Sequence, residues 1–348
     1  MPRNARWNEL TPGGANTTRP HPPLQSPRPL TPLRRDAIRR GMPVTLALIF
    51  EQMLNGVQFG LMLFLMSAGL TLVFGVMGLI NLAHGSLYML GAFFCAAGAA
   101  ATGNFWLGLV AGTAAAAAAG ALIEVSVIRR LYTRDHLDQV LATFALILIL
   151  SEGTKMVFGP FPLYLNVPPI LSGTVDLGLT PYSVYRLALI GFGLAVALGL
   201  WLLIGKTRLG IRIRAGENDR EMIAALGVNI RALYTLVFAL GAALAGLAGA
   251  LVGAVQSVQV GMGEPVLILA FVVIVIGGIG SIKGAMVGAL IVGVIDTMGR
   301  FLLPRIFASF MEASDASGLG AALASMLIYV VMALVLILRP KGLFPAHA

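Results

Sequence analysis

A polytopic bundle of transmembrane α-helices, with about eight to ten crossings and some helices broken, is the fold class this sequence predicts. Three observations lead there. The 348 residues are 58% hydrophobic and only 11% charged, whereas a soluble domain devotes roughly a quarter of its residues to charge. Apolar segments near the roughly 20 residues needed to cross hydrocarbon as a helix recur along most of the chain. The net charge of +9 comes from basic residues lying between those segments, where they orient helices in a bilayer rather than form a nucleic-acid footprint. The single cysteine, Cys95, lies within an apolar run and excludes an intramolecular disulfide or a cysteine-built metal site.

Residues 1–42 stand apart. They are rich in proline and contain eight arginines, no lysine, and Glu9 and Asp36 as the only acids. This composition predicts a disordered basic tail. It does not resemble a secretory signal peptide, because the first apolar run begins after Met42 and more membrane sequence follows at once. Two readings stand: a basic arm resting on anionic membrane lipid, or an extension ahead of a true start at Met42. Residues 43–343 form the membrane domain, and 344–348 a short C-terminal tail.

Within the domain, apolar segments fall at about 45–66, 67–81, 84–103, 106–128, 138–158, 184–205, 233–256, 266–280, 285–303 and 321–338. The second and eighth are short, which predicts broken or partly inserted helices. Ten crossings with an inner N-terminus place 20 of the 24 basic residues inside, leaving Lys155, Arg186, Arg300 and Arg305 outside. Both termini are then cytoplasmic. Fusing the first two segments into one crossing would reverse the N-terminal side.

Bond-making chemistry has no foothold. The nearest approach to a phosphate-binding loop, GLWLLIGKT at 199–207, has its first glycine one residue too far from the Gly-Lys-Thr and ends a membrane segment. The four histidines are scattered, and no serine sits in a G-x-S-x-G turn. No enzyme activity and no cofactor are expected of this chain. Acids near the apolar segments are costly and face the bundle interior, a wet cavity or a nearby interface. Glu124 beside Arg129, and Glu152 beside Lys155, read as structural pairs near interfaces. Glu51 and Asp296 stay open as candidates for a proton or ion relay.

Three further features carry the organisation. Four G-x-x-x-G pairs, 56/60, 108/112, 249/253 and 284/288, let helix backbones approach closely where apolar burial cannot drive association in lipid. The interval 206–232 is the longest charged stretch after the tail. In it Met222, Ile223, Leu226 and Val228 form an apolar patch flanked by Glu217, Asp219, Arg220 and Glu221: either a solvated loop or a docking helix for a soluble partner. Finally, GLINLAHGSLYMLGAF at 78–93 brings polar groups into apolar sequence. On one helix Asn81, His84 and Tyr88 would share a face, with Gly78 and Gly85 beside it. They either pack against neighbouring backbone or line and gate a pathway, and as a stripe beside a short segment they favour the second.

Two stretches resemble a known family. GLTLVFGVMGLINLAHGSLYMLGAF, at 69–93, is similar to the signature of branched-chain amino acid ABC-transporter permeases, and to their H-type rather than M-type subunit. RAGENDREMIAALGVNI at 214–230 and GGIGSIKGAMVGALIVG at 277–293 resemble that family's cytoplasmic coupling region and late glycine-rich segment. The resemblance runs collinearly over about 45–343. It departs at Lys283, where members often carry proline, and in lacking the full E-A-A-G coupling pattern.

The resemblance implies an internal inverted repeat, a bacterial inner-membrane location, a second, M-type permease subunit, two ATP-binding cassette subunits and a periplasmic binding protein. It implies import of branched-chain aliphatic amino acids, with urea or short amides as the alternative cargo. Asn81, His84, Gly85 and Tyr88 would line the pathway. Glu217, Asp219, Glu221, Met222, Leu226 and Gly227 would meet the cassette. A proton-coupled secondary carrier using Glu51 or Asp296, or a passive channel, are the readings outside the family.

Overall fold

The computed structural model describes residues 46–178 and 181–345. The predicted tail at 1–42 lies outside the described residues. Helices α1 (Leu46–Met77), α2 (His84–Thr102), α3 (Phe105–Ser126) and α4 (His136–Phe158) come first. A small antiparallel hairpin, β1 (Thr174–Asp176) and β2 (Pro181–Ser183), leads into α5 (Val184–Lys206). The short helices α6 (Arg208–Asn218) and α7 (Arg220–Ala225) precede α8 (Ile230–Val252), α9 (Gly263–Gly277), α10 (Ile282–Phe307) and α11 (Ala313–Leu338). Eight of these are long and apolar enough to cross a membrane, and α9 is a shorter apolar helix. The chain is a multi-pass helical membrane protein.

One expectation is corrected. Segments 45–66 and 67–81 are not two crossings but parts of the single 32-residue helix α1. The polar residues at the presumed junction do not break it: the Ser67 hydroxyl donates to the Leu63 carbonyl at 2.7 Å, a back-bond one turn earlier that a helix accommodates. Helix α1 ends only at Gly78, which takes φ +66°, a conformation open to glycine. At about 1.5 Å per residue α1 is about 48 Å long and α9 about 22 Å, against a hydrocarbon core of about 30 Å. Helix α9 thus stops short of a crossing, as the short eighth segment predicts.

The bundle has two ends, recognisable by what gathers there. At one, Asn55 near the start of α1 accepts from the Tyr182 hydroxyl of β2 at 2.9 Å and from the Arg186 guanidinium. At the other, Gly75 near the end of α1 faces the Glu217 carboxylate of α6. Helix α8 runs the opposite way, from α6 toward the start of α5, where the Tyr185 hydroxyl donates to the Leu251 carbonyl at 2.7 Å. With α1 as one helix, Leu46 and Leu338 lie at opposite ends of the bundle, whereas ten crossings would put them at the same end.

Exchanging α1–α4 for α8–α11 maps the principal contacts onto one another with the chain direction reversed. Helix α1 packs on α10 as α8 packs on α3, and α2–α3 corresponds to α9–α10. The predicted inverted repeat is therefore visible in the packing, with the α5–α7 region between the halves. The symmetry fails at α4, which leaves α3 and meets α2, Phe158 lying 5.2 Å from Phe93 and 5.4 Å from Phe94 between ring centroids.

Glycine makes the crossings possible. A Cβ on Gly60 would strike the Ala289 and Leu290 backbone of α10, and one on Gly108 the Cys95 carbonyl of α2. Without a hydrophobic drive between helices in lipid, such approach supplies packing directly. Helix α1, at the centre, buries Phe64, Leu65 and Met66 completely.

Candidate functional site

The polar stretch after α1 is not one continuous helix. Asn81 precedes α2, and its side-chain oxygen accepts from the Ala83 N–H at 3.0 Å in a local turn. Helix α2 begins at His84. The expectation that Asn81, His84 and Tyr88 share one helical face is therefore corrected: Asn81 belongs to the break, and only His84 and Tyr88 to the helix. Gly78 ends α1, and the local preference of asparagine for bonding its own backbone holds the turn that follows.

All four predicted pathway residues are enclosed. Asn81 and His84 are fully buried, Tyr88 nearly so, and Gly85 lies against Gly263 at the start of α9. The first turns of the two shorter, paired helices α2 and α9 thus meet inside the bundle. Asn81 Nδ2 and both ring nitrogens of His84 complete no hydrogen bond among the described residues, although the Met66 backbone is near the ring. A Cβ on Gly69 would lie 3.0 Å from His84 Nε2, so glycine there makes room for the imidazole. Buried polar groups without partners are uncommon and costly, and here they cluster at a break between α1 and α2. None of the four lines the cavity between the ends of α1, α5 and α6 or the one between α2, α3 and residues 164–170.

At the other predicted site, Asp219 caps α7: its Oδ1 accepts from the N–H groups of Glu221 at 3.0 Å and Met222 at 2.9 Å. Gly227 closes the helix at φ +83°, and the Val228 N–H donates to the Ile223 carbonyl at 3.2 Å. Between these caps Ile223 points inward, while Met222 and Leu226 are 59% and 75% exposed. Glu221 is exposed, whereas Glu217 turns inward beside Gly75 of α1. The expected patch therefore divides: Ile223 anchors α7, and Met222 and Leu226 face outward.

Three of the four acids resolve into pairs, whereas Glu51, half-buried near the start of α1, forms no ion pair among the described residues. Glu124, fully buried, receives Arg129 at 2.9 Å, Tyr132 at 2.6 Å and Thr235 of α8 at 2.6 Å. Burial, and then the bond to Glu124, push the Tyr132 phenol well above its ordinary range. Glu152 bonds Lys155 at 2.6 Å, and Asp296 bonds Arg300 at 2.9 Å. The sequence reading did not include Thr235, which a lone threonine in an apolar helix gives no reason to single out. It also omitted the strap formed by Leu343 and Phe344, whose N–H groups donate to the Ile276 and Gly277 carbonyls at the end of α9, both at 2.9 Å.

Comparison with known proteins agrees with this architecture. The family profile described as branched-chain amino acid transport system / permease component matches residues 52–336. The high-affinity branched-chain amino acid transport system permease protein BraD of Pseudomonas aeruginosa is 29% identical over 306 residues, covering 84% of this chain and 94% of the relative. The corresponding protein LivH of Escherichia coli is 31% identical over 269 residues, 73% of this chain and 86% of the relative. The ribose import permease protein RbsC of Escherichia coli is 28% identical over 252 residues, 67% and 72% of the two chains. No solved structure matches. The match across α1 to α11 makes this chain a member of the branched-chain amino acid transport system permease component family.

Proposed function

We propose that this chain is an H-type permease subunit of an ATP-driven importer of branched-chain aliphatic amino acids in a bacterial inner membrane. A periplasmic binding protein delivers the amino acid, a second, M-type permease subunit completes the pathway, and two ATP-binding cassette subunits supply the energy. The chain performs no bond chemistry itself. The observation that carries this reading is α7: a short helix, capped at both ends, that presents Met222 and Leu226 outward beside Glu221. An apolar pair held on a rigid surface helix suits a groove on a soluble partner.

The end bearing α6 and α7 is the cytoplasmic one. Without the tail, twelve basic residues fall there, among them Arg129, Arg208, Lys283 and Arg339, against Lys155, Arg186, Arg300 and Arg305 at the other. In this orientation Leu46 starts outside and α11 ends inside. The break at 78–83 is the moving part: Asn81 and His84 gain partners when α2 shifts against α9 during the transport cycle, and Gly85 and Tyr88 provide the sliding contact.

The test is Met222→Asp combined with Leu226→Asp, both on exposed positions that leave the bundle intact. The pair abolishes copurification of the cassette subunits while the second permease subunit is retained. Undiminished cassette binding would reject α7 as the docking element.

A further inference from the structure

We propose that a cavity at the α6 end of the bundle is a binding site for the headgroup of an anionic phospholipid from the adjoining leaflet. The cavity, about 900 Å³, lies between the end of α1, the end of α5, α6, the start of α10 and the C-terminal strap. Its lining includes three cations from separate elements, Arg214 of α6, Lys283 of α10 and Arg339 after α11, against the single acid Glu217. Arg214 donates to the Ile204 carbonyl at 2.9 Å, while Lys283 and Arg339 are exposed and have no ion partner among the described residues. A net positive, solvent-reachable hollow recruits an anion.

Two independent features sharpen the assignment to a phosphate group. The first turn of the 26-residue helix α10 opens on the cavity: Ser281 Oγ takes the Gly284 N–H at 3.1 Å, and the Ile282 and Lys283 N–H groups have no acceptor among the described residues. Such a helix start attracts phosphate through its free donors and dipole. The Thr71 hydroxyl of α1, on a residue only 1% exposed, lines the same cavity and has no hydrogen-bond partner among the described residues. It can donate to a phosphate oxygen that enters.

A lipid, rather than a free phosphate, fits the surroundings. The cavity lies where membrane helices end, and its wall on α5 carries Trp201, half exposed, with Ile204 one turn further on. Tryptophan at the interface and basic side chains just beyond the apolar span are the pattern of headgroup recognition. The exposed face of α5 leaves a track for the acyl chains. The assignment to the inner leaflet rests on the orientation proposed above; binding itself does not, and neither does its test.

The full chain, purified in detergent, is titrated with short-chain phosphatidylglycerol, short-chain phosphatidylcholine and inorganic phosphate, and bound ligand is counted by native mass spectrometry. Saturable phosphatidylglycerol binding is expected, with neither other probe competing at equal concentration. Lys283→Gln with Arg339→Gln weakens it by about thirtyfold, from roughly one charge contact each. Lys283→Arg with Arg339→Lys retains it and shows that the fold survives changes there. Arg130→Gln with Arg134→Gln, an equal charge loss elsewhere on the same end, leaves it unchanged. Undiminished binding by the first pair, or an equal loss in the control pair, overturns the site. Equal competition by phosphatidylcholine or inorganic phosphate overturns the lipid assignment. Cassette copurification is unaffected by the lipid result, so failure here is distinguishable from failure of the α7 reading.

Discussion

Moving one methyl group across the α3–α8 contact tests the packing logic most sharply. A Cβ on Gly246 of α8 would meet the Ala116 Cβ of α3 at under 3.0 Å, a separation real Cβ atoms essentially never show, while its next neighbours, the Gly112 carbonyl and Gly91 Cα, are at an ordinary 3.6 Å. Gly246→Ala alone therefore forces two helices apart and costs about 1–3 kcal/mol, partly offset by the roughly 1 kcal/mol that alanine gains over glycine in a helix. Adding Ala116→Gly removes the clash and returns the methyl to the same space from the other side. Helix propensity then cancels, and the double variant matches the parent to within about 1 kcal/mol. Ala116→Gly alone costs about 1 kcal/mol for propensity and about as much again for the vacated methyl. Reversible denaturation in mixed micelles, followed by tryptophan fluorescence, gives all four corners of the cycle. Strict additivity of the two losses would refute the geometry of this crossing.

Three other outcomes follow from the sites. Asp219→Ala removes the cap of a six-residue helix at a cost of about 1 kcal/mol, so cassette-stimulated ATP hydrolysis falls, while Asp219→Ser keeps most of it; equal loss in both would mean that the carboxylate touches the cassette rather than holding the helix. His84→Ala leaves a buried cavity that lowers stability, yet the variant still assembles with its partners and is impaired in uptake; full uptake would make it a packing group. Asp296→Asn leaves uptake within about twofold and its dependence on external pH unchanged, because the carboxylate is engaged by Arg300; abolished, proton-dependent uptake would restore the secondary-carrier reading.

The sequence made the bundle legible because apolar length and glycine spacing are local properties. Segment lengths located α2 to α5 and α8 to α10 to within a few residues, and the short segment at 266–280 marked α9; α11 begins at Ala313, well before the segment at 321–338, and α6 and α7 lie in the charged interval that carries no apolar segment. The division of α1 into 45–66 and 67–81 failed because the small and polar residues beyond residue 66 do not interrupt the helix: the Ser67 hydroxyl bonds its own helix and Gly69 faces Gly241 of α8. The acids were half legible. Glu124–Arg129 and Glu152–Lys155 are neighbours in sequence, whereas Thr235 reaches Glu124 only because α3 crosses α8. Asn81 was recognisable as out of place, but its role in holding the turn between α1 and α2 depends on backbone geometry that spacing alone does not carry. The cavity walled by Arg214, Lys283 and Arg339 was not legible, since three distant segments build it.

Uptake into proteoliposomes tests the central claim most directly. The chain is reconstituted with its second permease subunit and both cassette subunits, with the binding protein outside and ATP enclosed, and labelled leucine is followed. The account predicts accumulation against a gradient that requires ATP, the binding protein and every subunit, and that stops with the Met222→Asp, Leu226→Asp pair. Accumulation by this chain alone, driven by a proton gradient and indifferent to ATP, would contradict it.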